Sequence, residues 1–414
     1  LRKKGQTSEL PCIKSTTLDQ KGIGKEKKVD IRTTKGFMVV ASLFLSIRGR
    51  INFLQLERYS DRSESGFRVF FERDFDFLSF NIALLKPHLK GKTALAFDPS
   101  YISKSGKMTP GAGYFWSGCA AKSKWGLEFN GIAVLDLIRK TAFHLVGFQT
   151  VEILEQEKQL EFYARKILEN KEELKDVSKF LVADAYFSKY TFIEPMLEAG
   201  FQVISRLRKD SVLRHFYTGE QKKGKGRKKM YTNKVDYKDI DKSCARLVRD
   251  DKKEKIYTLK AHSKSLKREI NIVIVYTRNS KEEFTHKTYF STDLTLEWDE
   301  ILEMYRQRFQ IEFLYRDAKQ FTGLNHCQAR SEKKLHFHWN MSLTAINLAK
   351  VEHWIALKDQ EPNADVPFSM SDIKTHYHNE LLLKRFISMF GINSELAKNK
   401  RKIDQLLDFG KIGC

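Results

Sequence analysis

Residues 298–320 have the periodicity of an amphipathic helix, but charge runs through the middle of its apolar side. At ~100° per residue, Tyr305, Arg308, Glu312 and Lys319 fall within an arc of roughly 60°. Leu302, Phe309 and Phe313 flank that stripe on one side, and Met304, Ile311 and Ala318 flank it on the other. Glu303, Arg306, Gln307, Gln310 and Asp317 form the opposite, solvated face. The stripe therefore faces the protein body while carrying a phenol, a guanidinium, a carboxylate and an ammonium. Such groups cost several kcal/mol each to bury unless they are paired, metal-bound or open to a cleft. An internal salt-bridge network and an active-site wall both meet that condition.

Two further carboxylates favour the active-site wall. Residues 92–97 read as a strand that stops at the turn Asp98-Pro99-Ser100, and residues 179–184 read as a buried strand ending on Asp184. Each aspartate would emerge at the rim of a hydrophobic sheet. An aspartate at a strand end is common, so neither carries weight alone. Together with Glu312 they form an all-oxygen set of the kind that holds a hard cation such as Mg²⁺ beside a phosphate. Two such ions support in-line phosphoryl transfer.

The rest of the chain supplies a scaffold for such a site. Residues 1–35 are Lys-rich with little periodicity and read as a basic mobile arm. Residues 36–90 turn helical, in segments 38–47, 51–59 and 64–73, with Ser63 as an N-cap. This region is either a helix-turn-helix that reads DNA or a plain helical bundle. Strands are expected at 113–119 and 127–138, a helix at 152–170, a helix at 191–199 and a strand at 201–205, an α/β layout. Residues 207–294 read as a β-rich insertion, with strands at 255–261, 269–276 and 285–291 and a glycine-broken basic loop at 222–229. Helices return at 332–357 and, beyond Ser369, in a C-terminal helical region spanning 358–414.

Charge narrows the partner. Lys and Arg number 74 against 52 Asp and Glu, a net +22, which favours a polyanion through counterion release. Five scattered cysteines with no C-x-x-C pair argue against a disulfide framework or a zinc ribbon. The longest apolar stretch, residues 37–47, is about half of the ~20 residues needed to span a bilayer. With a polar N-terminal region, this sets the expectation of a cytoplasmic protein with no membrane partner. The chain opens on Leu1, as expected of a fragment or a mis-assigned start. A P-loop, G-x-x-x-x-G-K-[ST], is absent.

At this point the residues resemble the DDE-type transposases of bacterial insertion sequences. Their Y-x2-R-x3-E-x6-K signature is matched in every spacing by Tyr305, Arg308, Glu312 and Lys319. Ala96-Phe97-Asp98 is similar to the family's first catalytic strand. Val182-Ala-Asp184 through Ser188, continuing to Gly200-Phe201 and to Ser205 through Arg208, is similar to its second. The segment from Gly323 to Arg330 resembles the one that follows the signature helix.

The resemblance implies a ribonuclease H-like mixed sheet flanked by helices, built from residues 91–206 and 295–357. The β-rich insertion would lie between the second and third carboxylates, and a small helical N-terminal domain would precede the core. It implies that Asp98, Asp184 and Glu312 are catalytic and bind two Mg²⁺ ions, with Mn²⁺ as a substitute. Tyr305, Arg308 and Lys319 would hold double-stranded DNA, with Arg206, Arg208, Lys222, Lys223 and Arg227 as further phosphate contacts. Cleavage at element ends and transfer to a target would proceed in a homodimer holding paired ends. A nuclease of the same fold that lacks strand transfer, and an element-derived DNA binder, are the rival readings. Relatives with a hairpin step use an aromatic residue of the insertion. No Trp lies between Trp125 and Trp298, so either a Tyr or Phe serves or the step is absent.

Overall fold

The computed structural model describes residues 31–89, 91–151, 153–221, 224, 226–278, 284–360 and 367–412. Most of the expected basic arm, residues 1–30, lies outside them; residues 31–35 form the first turn of a helix. Four helices open the described chain: α1 (Ile31–Ser46), α2 (Phe53–Arg58), α3 (Glu64–Phe70) and α4 (Phe77–Leu85). Ser63 caps α3 as its sequence predicts, its side chain accepting from the Gly66 N–H. Inward, α3 buries Phe67 and Phe70; its Arg68 pairs with Glu64 one turn back.

The strands β1 (Thr93–Ser103), β2 (Gly113–Ser117), β3 (Lys122–Asp136) and β4 (Thr141–Gln149) follow. Next come α5 (Gln159–Leu168), α6 (Lys171–Val177), β5 (Phe180–Val182), α7 (Tyr190–Glu198) and β6 (Gln202–Arg206). In β1, Phe97 packs on Tyr163 of α5, on Phe187 and on Phe192 of α7, so these two helices cover one face. The sheet is mixed. β3 runs antiparallel to both β1 and β4, while β1, β5 and β6 are parallel neighbours.

Three differences from the sequence reading have physical causes. The first strand does not stop at Asp98; it runs through Pro99 to Ser103, paired along its whole length with β3. Pairing with β5 ends at Ala96, so that edge is open where the proline lacks an N–H to donate. The second is β4, which sequence reading passed over. The third is that the helix expected over 152–170 is confined to α5, with the separate α6 after it.

The insertion supplies β7 (Leu213–Phe216), β8 (Tyr231–Lys234), β9 (Arg246–Asp250), β10 (Glu254–Ser263), β11 (Arg268–Arg278) and β12 (Phe284–Ser291). It extends the core sheet, because β12 pairs antiparallel with β6, with Phe290 opposite Ser205. Among the described residues the result is a single 12-stranded sheet. The chain closes with α8 (Trp298–Gln307), α9 (Gln310–Phe321), α10 (Glu332–Gln360), α11 (Met370–Phe390) and α12 (Ala397–Leu407).

Helices α9 and α10 cover the second face, where Phe129 of β3 meets Tyr315 and Trp339. The N-terminal helices share this core. Phe70, Phe71 and Phe77 pack on Phe337 of α10, and Phe44 on His338. Among the described residues no helix is long and apolar enough to cross a membrane.

Two buried lysines tie these layers together. Lys374 of α11 donates to the Phe44 carbonyl, and Lys350 of α10 donates to the Thr141 hydroxyl and the Ala142 carbonyl. Burial pulls the first amine down to about 7 and the second to about 8. An unfolded chain keeps both protonated up to about 10.4. Unfolding therefore takes up protons between those values, and stability should rise with pH from about 8 to 10, by up to ~1.4 kcal/mol per pH unit for each group. Lys374→Met should flatten that slope in denaturant titrations at a series of pH values. An unchanged slope would mean that this amine is charged in the folded protein.

Candidate active site

The parallel pairing of β1 and β5 sets Leu95 opposite Leu181 and Ala96 opposite Val182. The pairing ends there; Asp98 and Asp184 each follow two residues on, and the Asp184 charge reaches the Asp98 carboxyl. Both lie at the carboxyl end of the parallel strands, where open α/β sheets place their ligands. Asp184 also caps the turn 185–187, its carboxylate accepting from the Ala185 N–H. The Ser205 hydroxyl holds that turn by donating to the Asp184 carbonyl at 3.0 Å. The Ser188 hydroxyl donates to the Arg206 carbonyl at 2.8 Å, tying the turn to the end of β6.

The third carboxylate arrives across an arginine. Arg308 is buried and lies between the helices α8 and α9. One terminal nitrogen lies 3.3 Å from Asp98 and the other 2.9 Å from Glu312. Asp98 is largely buried, whereas the Glu312 side chain is 40% exposed and turned toward Arg308 at the mouth of the site. Burial pushes the Asp98 carboxyl up to about 7. The Arg308 guanidinium pulls against that shift, and the charges of Glu312 and Asp184 add to it. All three acids therefore share one electrostatic neighbourhood.

Lys319 and Tyr305 complete the stripe. The Lys319 ammonium donates to the Ser100 hydroxyl at 2.9 Å, on the same strand as Asp98 and two residues on. Its burial lowers the amine, against the opposing pull of Cys119 and Asp98. Tyr305 is buried, with its ring 4.9 Å from that of Tyr289 on β12. Its hydroxyl is raised by burial first; Arg308 and Arg206 pull it down, and Asp184 pushes it up.

Of the other basic residues named from sequence, Arg206 ends β6 opposite Tyr289 and within electrostatic reach of Tyr305, whereas Arg208 and Arg227 are exposed. Arg208 lies 3.6 Å from Asp210, and Arg227 is on the insertion loop. Lys222 and Lys223 lie outside the described residues.

The signature stretch is not one uninterrupted helix, as its sequence suggests. The Arg308 N–H donates to the carbonyl three residues back, at Tyr305, instead of four, which tightens the turn between α8 and α9. Phe309 and Phe313, expected to flank the stripe inside, are 52% and 43% exposed. Tyr315 is buried in their stead, its hydroxyl donating to the Asp98 carbonyl at 2.6 Å. Gly131, opposite Asp98 in β3, makes room for it; a Cβ there would overlap the Tyr315 hydroxyl. Sequence reasoning missed Tyr315, although the helical wheel places it at the edge of the inward stripe.

The donor chemistry suits a hard divalent cation: three carboxylates, with no thiolate or imidazole among them. As the side chains stand, no group of three His, Cys, Asp or Glu among the described residues is gathered closely enough to hold one. Arg308 takes that place, pairing with two of the three acids.

No curated protein matches the chain. Among solved structures, it is similar to the cryo-EM structure of a piggyBac transposase synaptic complex with hairpin DNA. That likeness has 11% identity and a TM-score of 0.40, over 97% of this chain and 83% of that one. Residues 162–348, which contain Asp184 and Glu312 and leave Asp98 outside, match the family described as Transposase DDE domain.

Proposed function

We propose that the chain is a DNA transposase that cleaves at the ends of a bacterial insertion sequence and joins the freed strand to target DNA. The observation that carries this reading is Asp98 joined to Glu312 through Arg308, with the charge of Asp184 reaching the same carboxyl. The match of residues 162–348 to the DDE domain supports it. The catalytic unit would be ribonuclease H-like and comprise residues 91–206 and 295–357, with 36–90 as a DNA-contacting region.

Asp98, Asp184 and Glu312 would hold two Mg²⁺ ions, with Mn²⁺ as a substitute. When bound, such ions supply Lewis acidity toward a phosphoryl oxygen and acidify bound water. The protein's own contribution is positioning and charge. Ser205 and Tyr315 fix the backbone under the two aspartates. Arg308, Lys319 and Tyr305 line the path a phosphodiester would take, and Arg206, Arg208, Arg227, Lys222 and Lys223 would steady flanking phosphates. Two copies would pair two DNA ends before cutting, in the bacterial cytoplasm.

Labelled element-end DNA incubated with the protein, Mg²⁺ and a target plasmid tests the assignment. Joined products are the expected result. Cleavage without joining would leave a nuclease of this fold, and a gel shift without cutting would leave a DNA binder.

A further inference from the structure

The strand that carries Asp98 does not end at the site. It runs on to Ser103, and the chain then builds the β2–β3 hairpin, whose outer part, among the described residues, forms strand pairs only within itself. Residues 99–127 contain no Asp or Glu at all, but include Lys104, Lys107, Lys122 and Lys124 together with Tyr101, Tyr114, Phe115, Trp116 and Trp125.

Two of those aromatics are laid open. Tyr114 is 74% exposed and Trp116 64%, and, two residues apart on β2, they share one face of the ribbon. The Tyr114 ring rests edge-on against Trp125, 5.5 Å away, which orients it without covering it. Lys122 and Lys124 are exposed on the adjacent strand, opposite Ser117 and Phe115, and so leave the ribbon on its reverse face.

The base of the hairpin is pinned. Lys104 donates to the Cys327 and Ala329 carbonyls, the Tyr101 hydroxyl donates to the Trp125 carbonyl at 2.6 Å, and Gln149 donates to the Pro110 carbonyl at 2.6 Å. At its tip, Cys119 lies within electrostatic reach of Lys319.

We propose that this hairpin is a docking surface for an unpaired stretch of a DNA strand that passes around the ribbon, with Tyr114 and Trp116 as stacking faces on one side and Lys122 and Lys124 as phosphate contacts on the other. The inference rests on the DNA-processing reading above and adds where a single-stranded segment lies as it leaves the site. A ring face accepts any base and a lysine accepts any phosphate, so the surface binds without reading sequence. The complete lack of carboxylates over 29 residues favours a polyanion over a mixed-charge protein partner. Continuity with the Asp98 strand favours DNA over a lipid surface.

The test uses the full chain and two labelled DNAs of the same sequence, a blunt duplex and a duplex with a single-stranded overhang, measured by fluorescence anisotropy. The paired substitution Tyr114→Ala and Trp116→Ala should weaken overhang binding by about tenfold or more and change blunt-duplex binding by less than about twofold. Trp116→Phe should retain most of the affinity. Lys122→Gln with Lys124→Gln should lower the salt dependence of overhang binding by about 1 to 2 in log–log slope, which the aromatic variants leave unchanged.

Equal losses on both DNAs, or no loss on either, would overturn the proposal. So would loss of binding to anionic lipid vesicles with DNA binding intact. If the unmodified chain bound neither DNA, the DNA-processing reading itself would fall, a result distinct from selective indifference to the hairpin.

Discussion

Asp98→Asn is expected to lower strand cleavage by at least about 100-fold while leaving the metal-free protein as stable as before, or more so. The loss follows from removing the carboxylate proposed to hold the cation, just past the last paired residues of β1 and β5. The stability outcome follows from what the carboxylate endures there. Burial, with Glu312 and Asp184 nearby, holds its proton up to about 7, against 3.8 for an ordinary aspartate. A carboxyl raised in the folded state is at ease below its unfolded value and becomes a growing liability as pH rises from about 4 to 7.

Above that window the carboxylate is ionised at a cost on the order of a few kcal/mol, which an amide avoids. An Asn oxygen can still accept from Arg308. Melting curves in EDTA should therefore place the variant at or above the unmodified protein at pH 8, and the two should converge near pH 4. Asp184→Asn and Glu312→Gln should lose cleavage similarly. A cleavage-competent Asp98→Asn protein, or one that melts well below the parent at pH 8, would remove Asp98 from the role given to it.

The parts of this site that follow local rules were legible in the sequence. Leu-Ala-Phe before Asp98 and Leu-Val-Ala before Asp184 announce strands buried on both faces, and such strands release a polar residue only where burial ends. The spacing of Tyr305, Arg308, Glu312 and Lys319 put charge on an inward face, and the structure pairs Arg308 and Glu312 there. The features that escaped depend on partners far away in the chain.

Strand β4 carries His144 and Gly147 in its middle, which reads as an interruption. It holds together because Asn340 of α10 accepts from the Gly147 N–H and meets the His144 ring, while Asn347 accepts from the His144 N–H. Nothing local to residues 141–149 announces those two amides. Pro99 suggested a turn because its neighbours do not reveal that one edge of β1 is open there. The exposure of Phe309 and Phe313 depends on a single tightened turn at Arg308, which a uniform ~100° wheel cannot contain. The N-terminal helices looked like a separate unit for the same reason: Phe337, the residue that gathers Phe70, Phe71 and Phe77, lies more than 250 positions downstream.

Arg308→Ala should have the opposite signature to Asp98→Asn. The guanidinium is 7% exposed and neutralises two acids at once, so its removal leaves Asp98, Asp184 and Glu312 with Lys319 as the nearest remaining cation of the stripe. Breaking a buried pair from one side costs on the order of 3 kcal/mol. The exposure of Glu312 reduces its share of that cost, and protonation of Asp98 relieves part of the rest below pH 7. The metal-free variant should therefore melt several degrees below the parent at pH 8, by less at pH 6.

Saturating Mg²⁺ or Mn²⁺ should recover more stability in the variant than in the parent. A cation entering the parent must first part Arg308 from two carboxylates, whereas in the variant it meets only unpaired acids. The same competition reaches the DNA. A guanidinium engaged by Asp98 and Glu312 has little to offer a phosphate, and one released from them does. Divalent cations should therefore strengthen DNA binding more in the parent than in Arg308→Ala. Equal melting of variant and parent in EDTA, or an equal gain from the cation in both, would mean that Arg308 is not what the three acids lean on.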